Sequence, residues 1–245
     1  MRAVAVPAPS PAKPGSSVLL VIEIRSAHLS GATGLELAAV AVDLNGKVRA
    51  SDRYAATVTP IKADNTAHWL RVASRLDVPP GRYQLRIAAR RTDGTAEGSV
   101  FMETEVPRFD SDVSLGRLAI GTPGARGVAR AERISPSLPL TPIARRDVVP
   151  GMALHAALPL RLSTKHRGDE VEFAATLVSA DGRSLELQRV RRPAREFTAA
   201  AGGTFEVEVP LSSLAPGEYR LRVDVSIGGS PTVGDEISFR LQPER

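Results

Sequence analysis

Pro80-Gly81-Arg82-Tyr83-Gln84-Leu85-Arg86-Ile87 returns later in the chain as Pro216-Gly217-Glu218-Tyr219-Arg220-Leu221-Arg222-Val223. After the glycine of each stretch, apolar and polar side chains alternate, which is the two-residue period of a strand with one buried face. A tyrosine, a leucine and a β-branched residue share the inward face, and the outward positions are polar or charged. The two stretches therefore predict the same half-buried strand at two places.

The rest of the chain repeats with the same shift of 136 residues. The shift brings Leu35–Ala39 onto Val171–Ala175 and the turn sequence Asn45-Gly46 onto Asp181-Gly182. Because one shift accounts for all of these matches, the chain contains an internal duplication. We predict a first domain at 1–108, a second at 134–245, and a linker at 109–133 between them.

The linker contains Gly121-Thr122-Pro123-Gly124-Ala125-Arg126-Gly127, a composition typical of a flexible connection. Its beginning, Val113–Ile120, can add an edge strand to the first domain.

Each copy has the pattern of an all-β domain. Segments rich in Val, Leu and Ile are separated by turn pairs such as Asn45-Gly46, Asp93-Gly94 and Asp181-Gly182, which suit two-residue hairpin turns. No segment has a convincing helical period. Roughly six or seven short strands in about 100 residues predict a sandwich. The predicted fold class is all-β, with two tandem immunoglobulin-like or fibronectin type III-like β-sandwiches.

Tyr83 and Tyr219 are the residues for which we predict a specific role. In such sandwiches a tyrosine that enters a late strand packs its ring inward and returns its hydroxyl to the backbone, forming a tyrosine corner. A ligand-stacking role is the alternative, and it fits poorly with a position inside an alternating strand.

Composition sets limits on partners. The chain of 245 residues is 42% hydrophobic and only 4% aromatic, so aliphatic side chains must form the cores. Its formal charge is +5 and most of its cations are arginines, which could attract nucleic acid. The arginines are dispersed among strand residues, however, as a GC-rich coding sequence also produces. The cluster Arg189, Arg191, Arg192 and Arg195 has neither interleaved aromatics nor a reading helix. We predict no nucleic-acid partner.

The sequence has no recognisable catalytic, cofactor or metal motif. It has no cysteine, which excludes disulfides, thiolate catalysis and cysteine zinc sites. The four histidines, His28, His68, His155 and His166, are separated and non-equivalent in the repeat. Asp43-Leu44-Asn45-Gly46 is too short for a calcium loop. We predict no enzyme, no cofactor and no metal site.

Neither a membrane span nor a signal peptide is predicted. The longest apolar run, Val18–Ile22, is too short to cross a bilayer, and Met1–Pro7 lacks a hydrophobic segment of signal-peptide length. As written, the chain is either intracellular or part of a longer protein.

Several stretches together resemble the C-terminal region of bacterial von Willebrand factor A-related proteins. These stretches are Leu76–Arg91, Gly98–Phe101, Glu105–Phe109, Leu115–Ile120 and Pro139–Asp147. The resemblance implies an exported protein in which a metal-binding A domain precedes this region. That domain carries Asp-x-Ser-x-Ser, whereas Asp110-Ser111-Asp112-Val113-Ser114 has aspartate at the third place and lies in the interdomain segment. Metal-dependent adhesion is therefore not carried over, and the chain is expected to be an accessory region without its A domain.

The leading prediction is a non-enzymatic structural or protein-binding module with an extracytoplasmic location: periplasmic, cell-surface or secreted. Exposed strand edges and end loops would contact a protein partner. A carbohydrate-binding sandwich is the first alternative, disfavoured because Trp69 is the only tryptophan and aligns with Phe205, which suggests a shared core position. An enzyme with an interdomain site is the second alternative. The sequence leaves the partner, the domain orientation and the oligomeric state open.

Overall fold

The computed structural model describes residues 1–10, 15–26, 31–62, 68–124, 128–134, 137–199, 202–228 and 231–243, with Ser26, Lys62 and His68 described by backbone alone. Within these ranges the regular structure is strand, apart from short 3₁₀ helices at Ala131–Arg133, Thr164–His166, Ala194–Phe197 and Leu211–Ser213. The predicted all-β fold class is confirmed.

The strands before residue 109 form two antiparallel-paired sets. They are β1 (Arg2–Pro9), β2 (Ser16–Ser26), β3 (Thr33–Asp43), β4 (Val48–Val58), β5 (Ile61–Lys62), β6 (His68–Val78), β7 (Gly81–Arg91) and β8 (Glu97–Val106).

The later strands are β9 (Val113–Leu115), β10 (Ala119–Pro123), β11 (Val128–Ala129), β12 (Leu140–Pro142), β13 (Asp147–Val148), β14 (Leu154–Leu162), β15 (Glu170–Ser179), β16 (Ser184–Pro193), β17 (Gly203–Val209), β18 (Gly217–Ile227) and β19 (Val233–Leu241).

Four sheets result. Sheet A has the order β1-β2-β6-β11, with β5 also on β6, and sheet B has the order β4-β3-β7-β8. Sheet C has the order β12-β10-β14-β17, with β9 also on β14, and sheet D has the order β13-β19-β18-β15-β16. Sheets A and B pack on each other as the first sandwich, and sheets C and D as the second.

In both sandwiches the core is formed by every second side chain of each strand, which points inward. In the first sandwich β2 contributes Val18, Leu20 and Ile22, while β7 contributes Leu85 and Ile87, all at most 1% exposed. In the second sandwich three phenylalanines are added to the aliphatic set. The rings of Phe173 and Phe205 stack with centroids 4.5 Å apart, and Phe197 lies 5.3 Å from Phe173. Burial of these alternating faces is the main driving force for each sandwich.

The duplication is visible in the strand register. Ala39 pairs with Ile87 in sheet B, and Ala175 pairs with Val223 in sheet D, which preserves the shift of 136 residues. Sheets A and C depart from it, because Ile22 pairs with Val72 whereas Leu158 pairs with Phe205. Phe205 therefore occupies the place of Val72. The suggested equivalence of Trp69 and Phe205 is wrong.

The two sandwiches pack face to face through their equivalent sheets. The outward face of sheet A meets the outward face of sheet C, so the layers follow the order B, A, C, D. The interface is apolar and includes Val6 and Ala8 of β1, Val21 of β2, Ala73 of β6 and Ala157 of β14, each at most 1% exposed. Sheet A is consequently buried on both faces.

An ion pair lies on the outward face of sheet A, next to this apolar area. Arg71 Nε lies 2.9 Å from Glu23 Oε1, and both side chains are almost completely buried. Mutual pairing is what makes the burial of two charges tolerable.

The segment predicted as a linker is largely built into the sheets. β9 and β10 pair with β14 of the second sandwich, so Val113–Ile120 does not extend the first domain as expected. β11 instead pairs in parallel with β6 of the first sandwich, and the chain then returns to β12 beside β10. We call the excursion, described at 128–134 and 137–138, the clasp. Strand pairing holds Gly121–Pro123 and Val128–Ala129, while residues 125–127 of the predicted flexible stretch lie outside the described residues.

Candidate functional site

Tyr83 and Tyr219 lie at the same place in the two sandwiches. The hydroxyl of Tyr83 donates to the Pro79 carbonyl at 2.7 Å, and that of Tyr219 donates to the Ala215 carbonyl at 2.6 Å. Each acceptor lies four residues upstream, before the proline-glycine turn that begins the strand. This is the hydrogen bond that a tyrosine corner requires.

The surroundings of the two rings differ in one respect. Tyr83 is 5% exposed and pairs across β8 with Thr104, whereas Tyr219 is only half-buried and stacks on Phe239 of β19 at 5.7 Å. Burial raises the pKa of the Tyr83 phenol above its ordinary value. The Tyr83 ring is enclosed and cannot stack on a ligand, whereas the Tyr219 ring lines a shallow surface concavity together with Phe239.

Trp69 does not form an exposed aromatic platform. Its side chain is 5% exposed, and the guanidinium of Arg2 lies over its ring at 4.5 Å from the centroid. β6 points Trp69 to the outward face of sheet A, since its neighbour Leu70 belongs to the core. A covered ring cannot stack on a sugar, so this observation disfavours the carbohydrate-binding alternative.

The acidic turn residues serve the backbone. Asp43 accepts the amides of Asn45 and Lys47, each at 2.9 Å, and binds Arg49 at 2.6 Å. The Lys47 amide, followed by Arg49, holds the pKa of Asp43 below its usual range. Gly46, at φ +76°, supplies the left-handed position of the hairpin. Asp43–Gly46 is thus a turn whose carboxylate is already saturated.

The Asp110–Ser114 stretch makes local contacts as well. Ser111 Oγ lies 2.9 Å from Ser114 Oγ, and Asp112 forms an ion pair with Lys165. The described histidine side chains pair with carboxylates, His155 with Glu206 and His166 with Asp169, each at 2.8 Å. His28 and the side chain of His68 lie outside the described residues. Among the residues described, no group of three or more metal-ligating side chains is placed to hold an ion.

Three arginines of the predicted cluster lie in β16 and are ion-paired with neighbouring glutamates, while Arg195 lies in the following 3₁₀ helix. Arg189 binds Glu172 and Glu186 at 2.7 Å each, Arg191 binds Glu172 at 2.9 Å, and Arg192 pairs with Glu196. These bonds raise the pKa of Arg191, the Glu172 hydrogen bond being the largest cause. The outward face of sheet D therefore carries a network of ion pairs, as expected of a solvated surface.

Arg130, in the clasp, is a residue whose role the sequence did not indicate. Its guanidinium lies 3.0 Å from Asp52 and 3.5 Å from the centroid of the Tyr54 ring. Asp52 also accepts the hydroxyl of Ser74 at 2.7 Å. Arg130 has φ +59°, the one non-glycine residue with positive φ in the described ranges. The second sandwich thereby places a cation in a polar recess of the first, where burial raises the pKa of Tyr54 to about 12.

The outward face of sheet B differs from that of sheet D. Its middle row is Val40, Arg86 and Phe101, paired across β3, β7 and β8. Phe101 is 62% exposed, a large apolar side chain in the centre of an edge strand. The small residues Ala38 and Ala88 flank this row and leave a shallow concavity beside it. An exposed aromatic among small side chains is a common feature of protein contact surfaces.

A groove of about 530 Å³ runs between the two sandwiches on the side of β8. Its walls are β8 of sheet B and β19 of sheet D, and its floor is β1 with the turn before β10. Its lining includes Val6, Met102, Glu103, Arg117, Arg146 and Glu236. The candidate site comprises Phe101 and this groove, because they adjoin along a single strand edge.

Comparison with known proteins gives fold-level similarity only. No family model and no curated protein matches the chain. Among solved structures, the fibronectin(III)-like modules of CbhA from Clostridium thermocellum are 10% identical over 92% of this chain and 84% of that one, with a TM-score of 0.26. Trypsin-activated alpha-2-macroglobulin from Escherichia coli is 13% identical with a TM-score of 0.31, over 98% of this chain but 16% of that one. The chain thus spans a small part of the macroglobulin's length, and its own fold is established by the strand order and cores above.

No helix in the described ranges has the length and apolar character needed to traverse a bilayer.

Proposed function

We propose that the chain is a non-enzymatic structural and protein-binding module, the accessory C-terminal part of an exported protein related to the von Willebrand factor A family. The observation that carries the structural part is the packing of sheet A on sheet C. A tandem of sandwiches joined end to end can bend at its linker, whereas apolar faces buried against each other resist bending.

The binding part of the proposal is supported by what the layered packing leaves free. Sheets A and C are buried against each other, so a partner must contact the outward faces of sheets B and D, the strand edges or the end loops. Both outer sheets carry ion pairs, such as Arg90–Glu36 on sheet B and Arg189–Glu172 on sheet D.

Sheet B also presents Phe101 at 62% exposure beside small residues, whereas the exposed large apolar side chains described in sheet D, Leu185 and Val233, are aliphatic and less exposed, at 48% and 38%. We therefore assign partner contact to the sheet B side.

The family and the location are supported by the sequence resemblance alone, through stretches such as Leu76–Arg91 and Pro139–Asp147. An extracytoplasmic location follows from that resemblance. It predicts a signal peptide and an A domain encoded upstream of Met1 in the same reading frame, which sequencing of that region tests directly.

The protein-binding function is tested with the whole chain immobilised on a surface. We expect a defined protein from an envelope extract to be retained saturably, to be competed by free chain, and to be lost when the immobilised chain is heat-denatured. The cytosolic extract is the matched control. Absence of saturable retention, or turnover of a substrate by the purified chain, would contradict the proposal.

A further inference from the structure

We propose that β8 accepts an extended segment of a partner protein as an additional strand, and that this segment carries lysine or arginine at alternating positions. The inference rests on the protein-binding function proposed above and names its surface and the chemistry of its ligand. It follows from how the sheet edges of this molecule are protected.

Natural sheets block their edges, because an open row of amide and carbonyl groups recruits other strands. β4 is blocked in this way: Asp52 reaches Ser74 and Arg130, and the Tyr54 hydroxyl donates to the Ala73 carbonyl at 3.2 Å. These contacts tie β4 across to sheet A.

The edges of sheet D are blocked by other devices. β16 has a register shift opposite Ala175, carries the ion-paired arginines and ends at Pro193. β19 is paired with β13 at one end, and Asp235 receives the Leu118 amide at 2.7 Å near the other.

Over most of its length β8 lacks a register shift, a proline and a second paired strand in the part of the chain that the structure describes. Its register with β7 runs without a shift from Gly81 opposite Val106 to Arg90 opposite Glu97. The strand contains no proline, and its central Phe101 is exposed. β1 approaches β8 near Gly98, but the groove opens between the two strands from Met102 onward. The free edge therefore faces an open groove of about 530 Å³.

Charge favours a basic ligand. β8 carries Glu97, Glu103 and Glu105 and no cation. Glu103 has no ion-pair or hydrogen-bond partner among the described residues, and Glu105 meets Arg82 only at 3.5 Å with both side chains 70% exposed. Across the groove, Glu236 of β19 is paired with Arg220 at 3.6 Å, so Glu103 is the carboxylate of the groove left without an ion pair among the described residues.

Arg82 and Arg90 of β7 lie opposite Glu105 and Glu97, whereas Glu103 lies opposite the uncharged Gln84. The cations of the groove do not cancel the charge of Glu103. Arg117 is bound to Asp235 at 3.2 Å, and Arg146 lies beside it, where burial followed by the charge of Arg117 lowers its pKa. Arg117 and Arg146 both belong to the second sandwich, on the side of the groove away from β8. A peptide strand added to β8 would place its alternate side chains beside Glu103 and Glu105, as cross-strand neighbours of opposite charge.

The same charges argue against a second copy of this chain as the ligand. An antiparallel β8–β8 pair that opposes the two Phe101 rings also places Glu97 opposite Glu105. Like charges directly across a ladder are destabilising. Addition of an extended peptide to an exposed sheet edge is a recurring mode of peptide recognition.

The test uses a fluorescein-labelled, end-blocked ten-residue peptide of alternating lysine and valine, with an alternating glutamate and valine peptide as its control. We expect the full chain to bind the lysine peptide saturably in fluorescence anisotropy. Glu103→Lys should weaken that binding at least about tenfold and improve binding of the glutamate peptide, because the charge at residue 103 is reversed. Phe101→Ser should also weaken binding, while Leu185→Ser on the edge of β16, 48% exposed in the native chain, should not.

Hydrogen exchange separates strand addition from simple charge attraction. We expect the lysine peptide to slow exchange of β8 amides and to leave β16 unchanged. The inference is overturned if protection appears elsewhere, if Glu103→Lys binds the lysine peptide as tightly as the native chain, or if the chain self-associates through Phe101. If Phe101→Ser still captures the envelope protein as well as the native chain, strand addition at β8 fails while the protein-binding function stands.

Discussion

Tyr83 and Tyr219, the two predicted tyrosine corners, make the same hydrogen bond in two packing environments. Tyr83 is enclosed beside Thr104, and Tyr219 stacks on Phe239 with one side toward solvent. In both, loss of the hydroxyl leaves a backbone carbonyl before the turn, at Pro79 or Ala215, without its donor. The sequence pattern shows the position of the tyrosine, but the ring's neighbour comes from β8 or β19, whose registers differ between the copies.

We expect Tyr83→Phe and Tyr219→Phe each to lower the free energy of unfolding by about 1 kcal/mol, because each removes one hydroxyl-to-carbonyl bond without altering ring volume. Chemical denaturation followed by circular dichroism measures the change. Phe101→Leu is the control, since substitution of an exposed side chain should stay within about 0.5 kcal/mol of the native value. Unchanged midpoints for both tyrosine variants would remove the corner assignment.

Trp69 illustrates why other residues could not be assigned from the sequence. A constant shift of 136 residues matches it to Phe205, yet β17 pairs with β14 three residues out of step with that shift. A slip of an odd number of residues moves a side chain to the opposite face of its strand. Phe205 consequently lies in a core, and Trp69 lies on the outward face under Arg2. Alignment within a repeat carries no information about such slips.

At the scale of elements, the strands and hairpins were predictable because their signals are local. Gly46 and Gly182 adopt φ of +76° and +83° in equivalent turns. The turns are not the two-residue turns expected, however, because Asn45 and Asp181 do not have positive φ: each loop has three residues, and its glycine takes the left-handed position at the end. The segment at 109–133 was not predictable in the same way. Its glycines suggest a flexible linker, but Gly121 lies in β10, where an added Cβ would be 2.0 Å from the Thr141 carbonyl oxygen. Here glycine permits close approach of two backbones, a role that composition cannot separate from flexibility.

The close approach of β10 and β12 at Gly121 can be tested by adding a methyl group there. Gly121→Ala should lower the free energy of unfolding by about 3 kcal/mol, because the methyl group meets backbone that cannot move aside without separating β10 from β12. Gly168→Ala is the matched control: an added Cβ there meets nothing within 4 Å, and no change beyond about 0.5 kcal/mol is expected. Thermal and urea denaturation of both variants measure the difference. Equal stability of the two variants would show that β10 is not held against β12.

At the scale of the whole molecule, the stacking of sheet A on sheet C was beyond the reach of the sequence. Val21 and Ala157 lie on strand faces that a solitary sandwich would turn toward water. Their apolar character hints that these faces are covered, but it does not identify the cover. The clasp adds to the stack, since β11 and Arg130 connect the second copy to the first, and Ile134 and Leu138 of the clasp pack into the apolar interface itself. Both features depend on contacts between residues far apart in the chain, which a periodic pattern does not encode.

The stack predicts that the two sandwiches unfold together, because separating them exposes the apolar faces of sheets A and C. We expect calorimetry to show one transition for the native chain. Ala157→Glu should split it into two, since the residue is fully buried between the layers and an unpaired carboxylate there costs several kcal/mol while both cores remain intact. Ala88→Glu, on the exposed outward face of sheet B, should keep a single transition near the native midpoint. Two separate transitions in the native chain, or an unsplit and unshifted transition in Ala157→Glu, would mean that the interface adds nothing to the stability of either sandwich.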